Sequence, residues 1–219
     1  MMRALFEKTG NAVWISHLDL MRVFQRAFKR AGLSLTHTKG FNPRPSVSIA
    51  LPMSVGVESR CELLDFQLEG EGTSCEEVLQ RLNTFLIPGV RVLKVYEDGK
   101  KLKHLSYLDC TLELEYDSGI AAGQLDELRR LFCRESLKVE KKSKNGVSQQ
   151  DIIPMIRQLE LEQKDGHTLA IHARICCQNP TLNPNQMVVA IENELPQWKP
   201  DFVRVTREEL YDETQSVFR

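Results

Sequence analysis

The stretch "RALFEKTGNAVWISHLDLMRVFQRAFKRAG", Arg3 to Gly32, decides the fold because the spacing of its apolar residues changes partway through. From Arg3 to Lys8 apolar and polar residues alternate, the mark of a half-buried strand, and Thr9-Gly10-Asn11 supplies a turn. From Ser16 onward the period becomes helical, with Leu18, Met21, Phe24 or Gln25, Phe28 and Ala31 on one stripe. Ser16 is a helix-capping residue type, and Asp19 three positions later makes a capping box with Asp in place of Glu or Gln. Both suit the positively polarised start of a helix. Gly32 is the stop signal.

Working outward, "LSLTH" (Leu33 to His37) reads as a second strand and "SVSIAL" (Ser46 to Leu51) as an extended piece. "CELLDFQLEG" alternates as a strand. Thr73, with Glu76 three residues on, marks a helix cap, and that helix runs through Leu86 to stop at Pro88-Gly89. "VRVLKVYE" is the next strand. The order β-α-β-β-α-β predicts a ferredoxin-like sandwich, an antiparallel sheet with both helices on one face.

The same order recurs downstream. "YLDCTLELEY" (Tyr107 to Tyr116) alternates, "GQLDELRRLFCR" (Gly123 to Arg134) is amphipathic, and "SLKVEKKS" reads as a strand turning at Lys144-Asn145-Gly146. "RQLELEQ" and "TLAIHARICC" flank Lys164-Asp165-Gly166, a hairpin signal. Asn183 caps a helix with Pro184 at its first position and Gln186 three residues after the cap, running to about Leu195, and "FVRVTREELY" closes the order. The expected fold class is α+β: two tandem ferredoxin-like (βαββαβ) sandwiches with antiparallel sheets. The first spans residues 1–99, the second spans 107–219 with an extra hairpin, and "KKLKHLS" (100–106) joins them.

A length of 219 residues suits two small domains, and 42% hydrophobic with 27% charged residues is the balance of folded chains. No run approaches the roughly 18 apolar residues of a membrane span, and the start lacks the apolar core of a signal peptide. The expectation is a cytoplasmic protein with no membrane partner. Six cysteines stand without a C-x-x-C pair or a C-x-x-x-C-x-x-C triplet, which excludes a zinc ribbon, a redox dithiol and a radical-type iron–sulfur site. The adjacent Cys176 and Cys177 point to opposite faces of a strand, which suits packing. His104, His167 and His172 share no ligand spacing with the cysteines, and no glycine-rich phosphate loop occurs. No metal and no cofactor are expected.

Charge is uneven along the chain. Through Arg60 there are nine Lys and Arg against three Asp and Glu, a net of +6, and the whole-chain −1 leaves −7 for residues 61–219. Such asymmetry points to an anionic partner for the first segment. Arg22, Arg26, Lys29 and Arg30 stand at i, i+4, i+7 and i+8 and share one flank of the first helix. Beyond it, His37, Lys39, Phe41, Asn42 and Arg44 crowd a loop stiffened by Pro43 and Pro45, where Gly40 allows a positive φ or a close backbone approach. Lys and Arg contact phosphate oxygens, Asn reads base edges, and Phe or His stacks on unpaired bases, so these are RNA-binding residue types. Phe41 has a second reading, as an apolar anchor folding the loop onto the sheet. "KVEKKSKNG" adds a secondary electrostatic contact on an exposed strand and turn.

A catalytic reading uses His17 or His37 as general base with Lys39 or Arg44 stabilising developing charge, as in a metal-independent endoribonuclease. Ser16 beside His17 is accounted for as a helix cap.

"ISHLDLMRVFQRAFKRAGL", "THTKGFNPRPSVSIALPMSVGVES" and "LLDFQL" resemble the radical-SAM-linked bacterial proteins, uncharacterised domains found alone or fused behind a cobalamin-binding radical-SAM enzyme. The resemblance is dense over Arg3 to Leu68 and looser to about Leu210. "NPNQMVVAIENEL" stands at the place of the family's R-P-x-x-hydrophobic helix, with Asn183 where that pattern has Arg. The resemblance implies a separately encoded radical-SAM protein as partner, since this chain has neither the cluster cysteines nor a cobalamin motif. The leading expectation is a non-catalytic accessory protein that binds RNA and works with that enzyme. In it Arg22, Arg26 and Arg30 track phosphates, and Lys39, Phe41, Asn42 and Arg44 make the closer contacts. The alternatives are a protein–protein adaptor docking the same segment on the radical-SAM partner without RNA, and the endoribonuclease.

Overall fold

The computed structural model describes every residue except Glu71, Lys144 and Asn145, and among the described residues it contains ten β-strands and four α-helices. The chain divides into two compact units, Met1–His104 with Arg219, and Leu105–Phe218. The architecture is mixed α+β, and the strand pairings described within each unit are antiparallel.

The first unit runs β1 (Met2–Lys8), α1 (His17–Arg30), β2 (Val47–Ile49), β3 (Val57–Phe66), α2 (Cys75–Phe85) and β4 (Val90–Glu97). Its strands lie in the order β4-β1-β3-β2. Ala4 and Phe6 of β1, Leu64 and Phe66 of β3 and Val92 of β4 meet Leu20, Phe24, Ala27 and Phe28 of α1 and Val78 and Leu82 of α2 in one core. Phe6 and Phe24 pack edge to face with ring centroids 4.8 Å apart, and Phe28 meets Phe66 at 4.9 Å, which fixes the depth of α1 on the sheet.

The start of α1 is made as its sequence implies. The Asp19 amide donates to Ser16 Oγ at 3.2 Å, and the Ser16 hydroxyl donates to Asp19 Oδ2 at 2.7 Å. The buried stripe is Leu20, Phe24, Ala27, Phe28 and Ala31, so Leu18, expected on the apolar stripe, faces outward. At 100° per residue Leu18 stands about 160° from Leu20, and the two cannot share a face.

Several boundaries differ from the sequence reading. Leu33–His37 is not a strand and makes two isolated bridges, Leu35 to Leu68 and His37 to Pro45. Its hydrogen bonds are divided between two neighbours, from the Thr36 amide to Gln67 O and from the Ser46 amide to Thr36 O, and Pro45 has no N–H to extend a ladder. The second helix is capped by Ser74 rather than Thr73. Both residues begin an [ST]-x-x-[DE] pattern, and Ser74 Oγ is the acceptor for the Glu77 amide at 3.1 Å. Thr9-Gly10-Asn11 leads into a 3-10 turn, Gly10–Trp14.

The second unit runs β5 (Leu105–Glu115), α3 (Gln124–Phe132), β6 (Lys138–Ser143), β7 (Gly146–Asp151), β8 (Ile156–Gln163), β9 (Thr168–Cys176), α4 (Asn185–Glu194) and β10 (Phe202–Asp212). Its main sheet has the order β10-β5-β9-β8, with β6 and β7 as a separate two-stranded sheet. The sequence reading lacked β7, whose exposed polar "GVSQQD" carries no apolar alternation. Of the turn expected at Lys144-Asn145-Gly146, Lys144 and Asn145 lie outside the described residues. Pro184 already has helical φ and ψ of −49° and −37°. Asn183 therefore does cap α4, its Oδ1 accepting from the Asn185 amide while Gln186 Oε1 accepts from the Asn183 amide. The expected linker is shorter than 100–106, because Leu102–His104 is a 3-10 turn and β5 begins at Leu105.

Candidate functional site

A groove of about 560 Å³ opens beside the C-terminal half of α1. Arg22, Arg26 and Lys29 line it from α1, the buried Leu33 and Leu35 add apolar lining, and His37 and Pro45 line it from the following segment. The helix supplies these cations because residues 22, 26 and 29 fall on one exposed flank while Phe24 and Ala27 anchor the opposite one. Glu69 is the carboxylate among the described lining residues. Its amide donates to Ser34 O at 2.8 Å, which holds it on the groove's edge.

The cations differ in how far they are compensated. Arg22 reaches Asp19 at 2.7 Å, an exposed pair of small energetic weight. The Asp19 carboxyl is held below its ordinary range, first by the Ser16 hydroxyl, then by Arg22, with a smaller contribution from Arg26. Among the described residues no carboxylate comes within ion-pairing distance of Arg26 or Lys29. Arg30 is turned away from the groove, its guanidinium lying 5.1 Å from the centre of the Phe85 ring on α2.

His37 and Pro45 stand at the base of a closed hairpin. The Thr38 amide donates to Arg44 O at 2.8 Å, the Arg44 amide returns to Thr38 Oγ1 at 3.0 Å, and the Ser46 amide donates to Thr36 O at 2.7 Å. These bonds tie off the segment so that Lys39, Gly40, Phe41, Asn42 and Pro43 form an exposed tip. Gly40 has φ +151°, a region open to glycine. Phe41 is fully exposed, so the reading of Phe41 as an anchor packed on the sheet is corrected. The structure thus brings Arg22, Arg26, Lys29 and His37 around one groove. It places Lys39, Phe41, Asn42 and Arg44 on the hairpin beyond the lining, and Arg30 over α2.

His17 is the first residue of α1 and does not line the groove, so His17 and His37 are not gathered into one pocket. Ser16 is occupied as the helix cap. Sequence reasoning missed Arg81, whose Nε donates to Ala31 O at 2.8 Å and whose Nη1 reaches Glu77 at 2.8 Å. It places a cation at the negative end of α1, next to Gly32 on the groove's lining. The spacing Glu77-x-x-x-Arg81 was visible in the sequence, but its contact with α1 was not.

In the second unit a cavity of about 430 Å³ lies along β5, β8 and β9. Arg174 holds Asp109 through two hydrogen bonds of 2.7 and 2.9 Å and sits 3.7 Å from the Tyr211 ring centre. His172 lies between Thr111 Oγ1 at 3.1 Å and Glu162 Oε1 at 3.2 Å. Thr111 and His172 are register partners, so the sheet itself accounts for that contact. No group of three or more metal-ligating side chains is present among the described residues, and no helix there is long and apolar enough to cross a membrane.

A family model described as "Uncharacterized protein conserved in bacteria" (DUF2344) matches residues 1–184. No curated protein matches the chain. Among solved structures, the archaeal box H/ACA sRNP Nop10-Cbf5 complex is similar at 6% identity with a TM-score of 0.48, over 94% of this chain and 46% of that one. A Cbf5-Nop10-Gar1 complex is similar at 7% identity and a TM-score of 0.50, over 97% and 50%. An unknown protein from Galdieria sulphuraria aligns at 11% identity and a TM-score of 0.27, over 96% of each chain. The chain spans about half the length of the first two, and at such identities the likeness concerns the fold alone.

Proposed function

The chain belongs to the DUF2344 family of uncharacterised proteins conserved in bacteria, and on that premise we propose that it is a cytosolic, non-catalytic RNA-binding accessory protein. One observation carries the reading. Arg22, Arg26 and Lys29 line a single groove with His37 at the base of a proline-stiffened hairpin, and Arg26 and Lys29 are left without a described carboxylate partner. A phosphate chain entering the groove meets the α1 cations, while Lys39, Asn42, Arg44 and the exposed Phe41 stand on the hairpin beyond its lining.

The strand orders β4-β1-β3-β2 and β10-β5-β9-β8 support a reading of the two units as ferredoxin-like sandwiches, the second enlarged by the β6–β7 hairpin. Presentation of the bound RNA to a separately encoded radical-SAM enzyme rests on the sequence resemblance over Arg3 to Leu68.

The test is fluorescence anisotropy of a labelled RNA against salt concentration. Wild type should lose affinity steeply as salt rises, because neutralised phosphates release counterions, and an Arg22/Arg26/Lys29 triple alanine variant should flatten that slope by about 2. Salt-insensitive binding, or an unchanged slope in the triple variant, overturns the proposal.

A further inference from the structure

We infer that Trp14 is a stacking platform for an unpaired base, placing the ligand of the α1 groove among single-stranded rather than duplex RNAs. The inference rests on the RNA reading above.

Trp14 ends the 3-10 turn before α1 and is 64% exposed. An indole left this open is a large unused apolar surface. Its backbone is fixed from two sides, since the Gly56 amide donates to Val13 O at 2.9 Å and the buried Lys8 ammonium donates to the same oxygen at 3.1 Å. A Cβ added at Gly56 would stand 3.4 Å from Cζ3 of Trp14, so the indole lies against bare backbone there. Gly56 has φ +87°, which favours glycine, and the adjoining Val55 is 54% exposed. The ring is therefore backed, held and open to solvent, the requirements of a stacking surface.

The occupant follows from the chemistry of α1, which begins three residues after Trp14. Leu18, 67% exposed, stands at i−4 from Arg22, i−7 from Gln25 and i−11 from Lys29, in line with the flank of α1 that lines the groove. From Leu18 to Lys29 that flank runs about 16 Å along the helix axis. Along it Leu18 is apolar, Asp19 is already paired with Arg22, and the charge at the groove is cationic. A ligand matching that gradient presents flat apolar faces at one end and phosphates along the rest, which describes an unpaired polynucleotide. In a duplex the base faces are stacked on one another and have none to offer an indole.

The chain has two tryptophans, and the second, Trp198, donates to Glu127 at 2.7 Å in the other unit. A Trp198→Phe variant therefore leaves Trp14 as the one tryptophan emitter. Titrating it with a single-stranded RNA of about twelve nucleotides should quench that emission, while the same strand annealed to its complement should not. Trp14→Ala should weaken single-strand binding about tenfold and leave the salt slope unchanged, because stacking releases no counterions. Trp14→Phe should restore most of the affinity. Salt-dependent binding with no quench and no loss in Trp14→Ala would overturn the platform while the groove reading stands. Equal quenching by duplex would overturn the preference for single strands, and no salt-dependent binding by any RNA would overturn both.

Discussion

Arg3 of β1 faces Asp65 of β3 across the sheet and grips it with two nearly parallel hydrogen bonds, Nε to Oδ1 at 2.5 Å and Nη2 to Oδ2 at 2.9 Å. Both side chains are buried, and a third guanidinium bond runs from Nη1 to Lys100 O at 2.8 Å. Burial alone lowers the Arg3 pKa, but the contacts with Asp65 and, less strongly, Tyr96 together outweigh it and the net shift is upward. Removing one partner leaves a charge stranded in the interior. Asp65→Ala should destabilise the protein by about 3–5 kcal/mol, and the double change Arg3→Met with Asp65→Leu should recover much of that loss. Urea midpoints of the three proteins check the pair. A single variant as stable as wild type would show that the bond contributes little.

Arg26 and Arg30 carry the same charge four residues apart, yet one faces the groove and the other covers Phe85. Arg26→Ala should lower the salt dependence of RNA affinity by about 0.7 in slope, the share of one phosphate on a single strand. Arg30→Ala should change it by less than half as much. Equal effects would mean that overall charge, rather than the groove, attracts the ligand.

Ser16 closes the first turn of α1 through both of its hydrogen bonds with Asp19. Ser16→Ala should cost about 1 kcal/mol in urea unfolding, the usual weight of a lost cap. Because the folded state depresses the Asp19 pKa, its contribution is present above the ordinary carboxylate value and lost as pH falls through the lower folded one. The penalty of Ser16→Ala should therefore shrink below about pH 4. A penalty constant to pH 2 would count against this coupling.

Burial pushes the Cys110 and Cys177 thiols up to about 12. Their folded pKa values exceed the unfolded ones, so the unfolded chain gives up these protons first as pH rises. The stability they contribute is intact below about pH 9 and falls between there and 12, by roughly 1.4 kcal/mol per pH unit for each thiol. Denaturant unfolding at pH 8 and pH 10.5 should show the loss, and Cys110→Ala should make the decline shallower. In the native protein at neutral pH a thiol reagent should modify the exposed Cys133 fastest, with Cys61, Cys110, Cys176 and Cys177 following on unfolding.

The sequence by itself determined the elements that strong local signals mark, though not β7 or the non-strand state of Leu33–His37. Alternation in "RALFEK" and "VRVLKVYE", the Ser16–Asp19 cap, the Asn183–Gln186 cap and the Gly32 stop are local devices, each satisfied within a few residues of chain, and all appear in the structure. It also placed the cationic flank of α1, because helical periodicity is a local property. What only the tertiary structure decided was the fate of each side chain once distant segments met. Arg3 and Lys8 count towards the +6 of the first sixty residues, but folding buries both. Arg30 belongs to the basic flank by spacing, but α2 offers it Phe85. Thr73 and Ser74 are equally good caps in the sequence, and packing chose the second. Leu18 looks like a core residue, but the sheet covers the other side of the helix and leaves it open. Periodicity tells which residues share a face, whereas the burial of that face depends on partners far along the chain, as Asp65 lies 62 positions from Arg3.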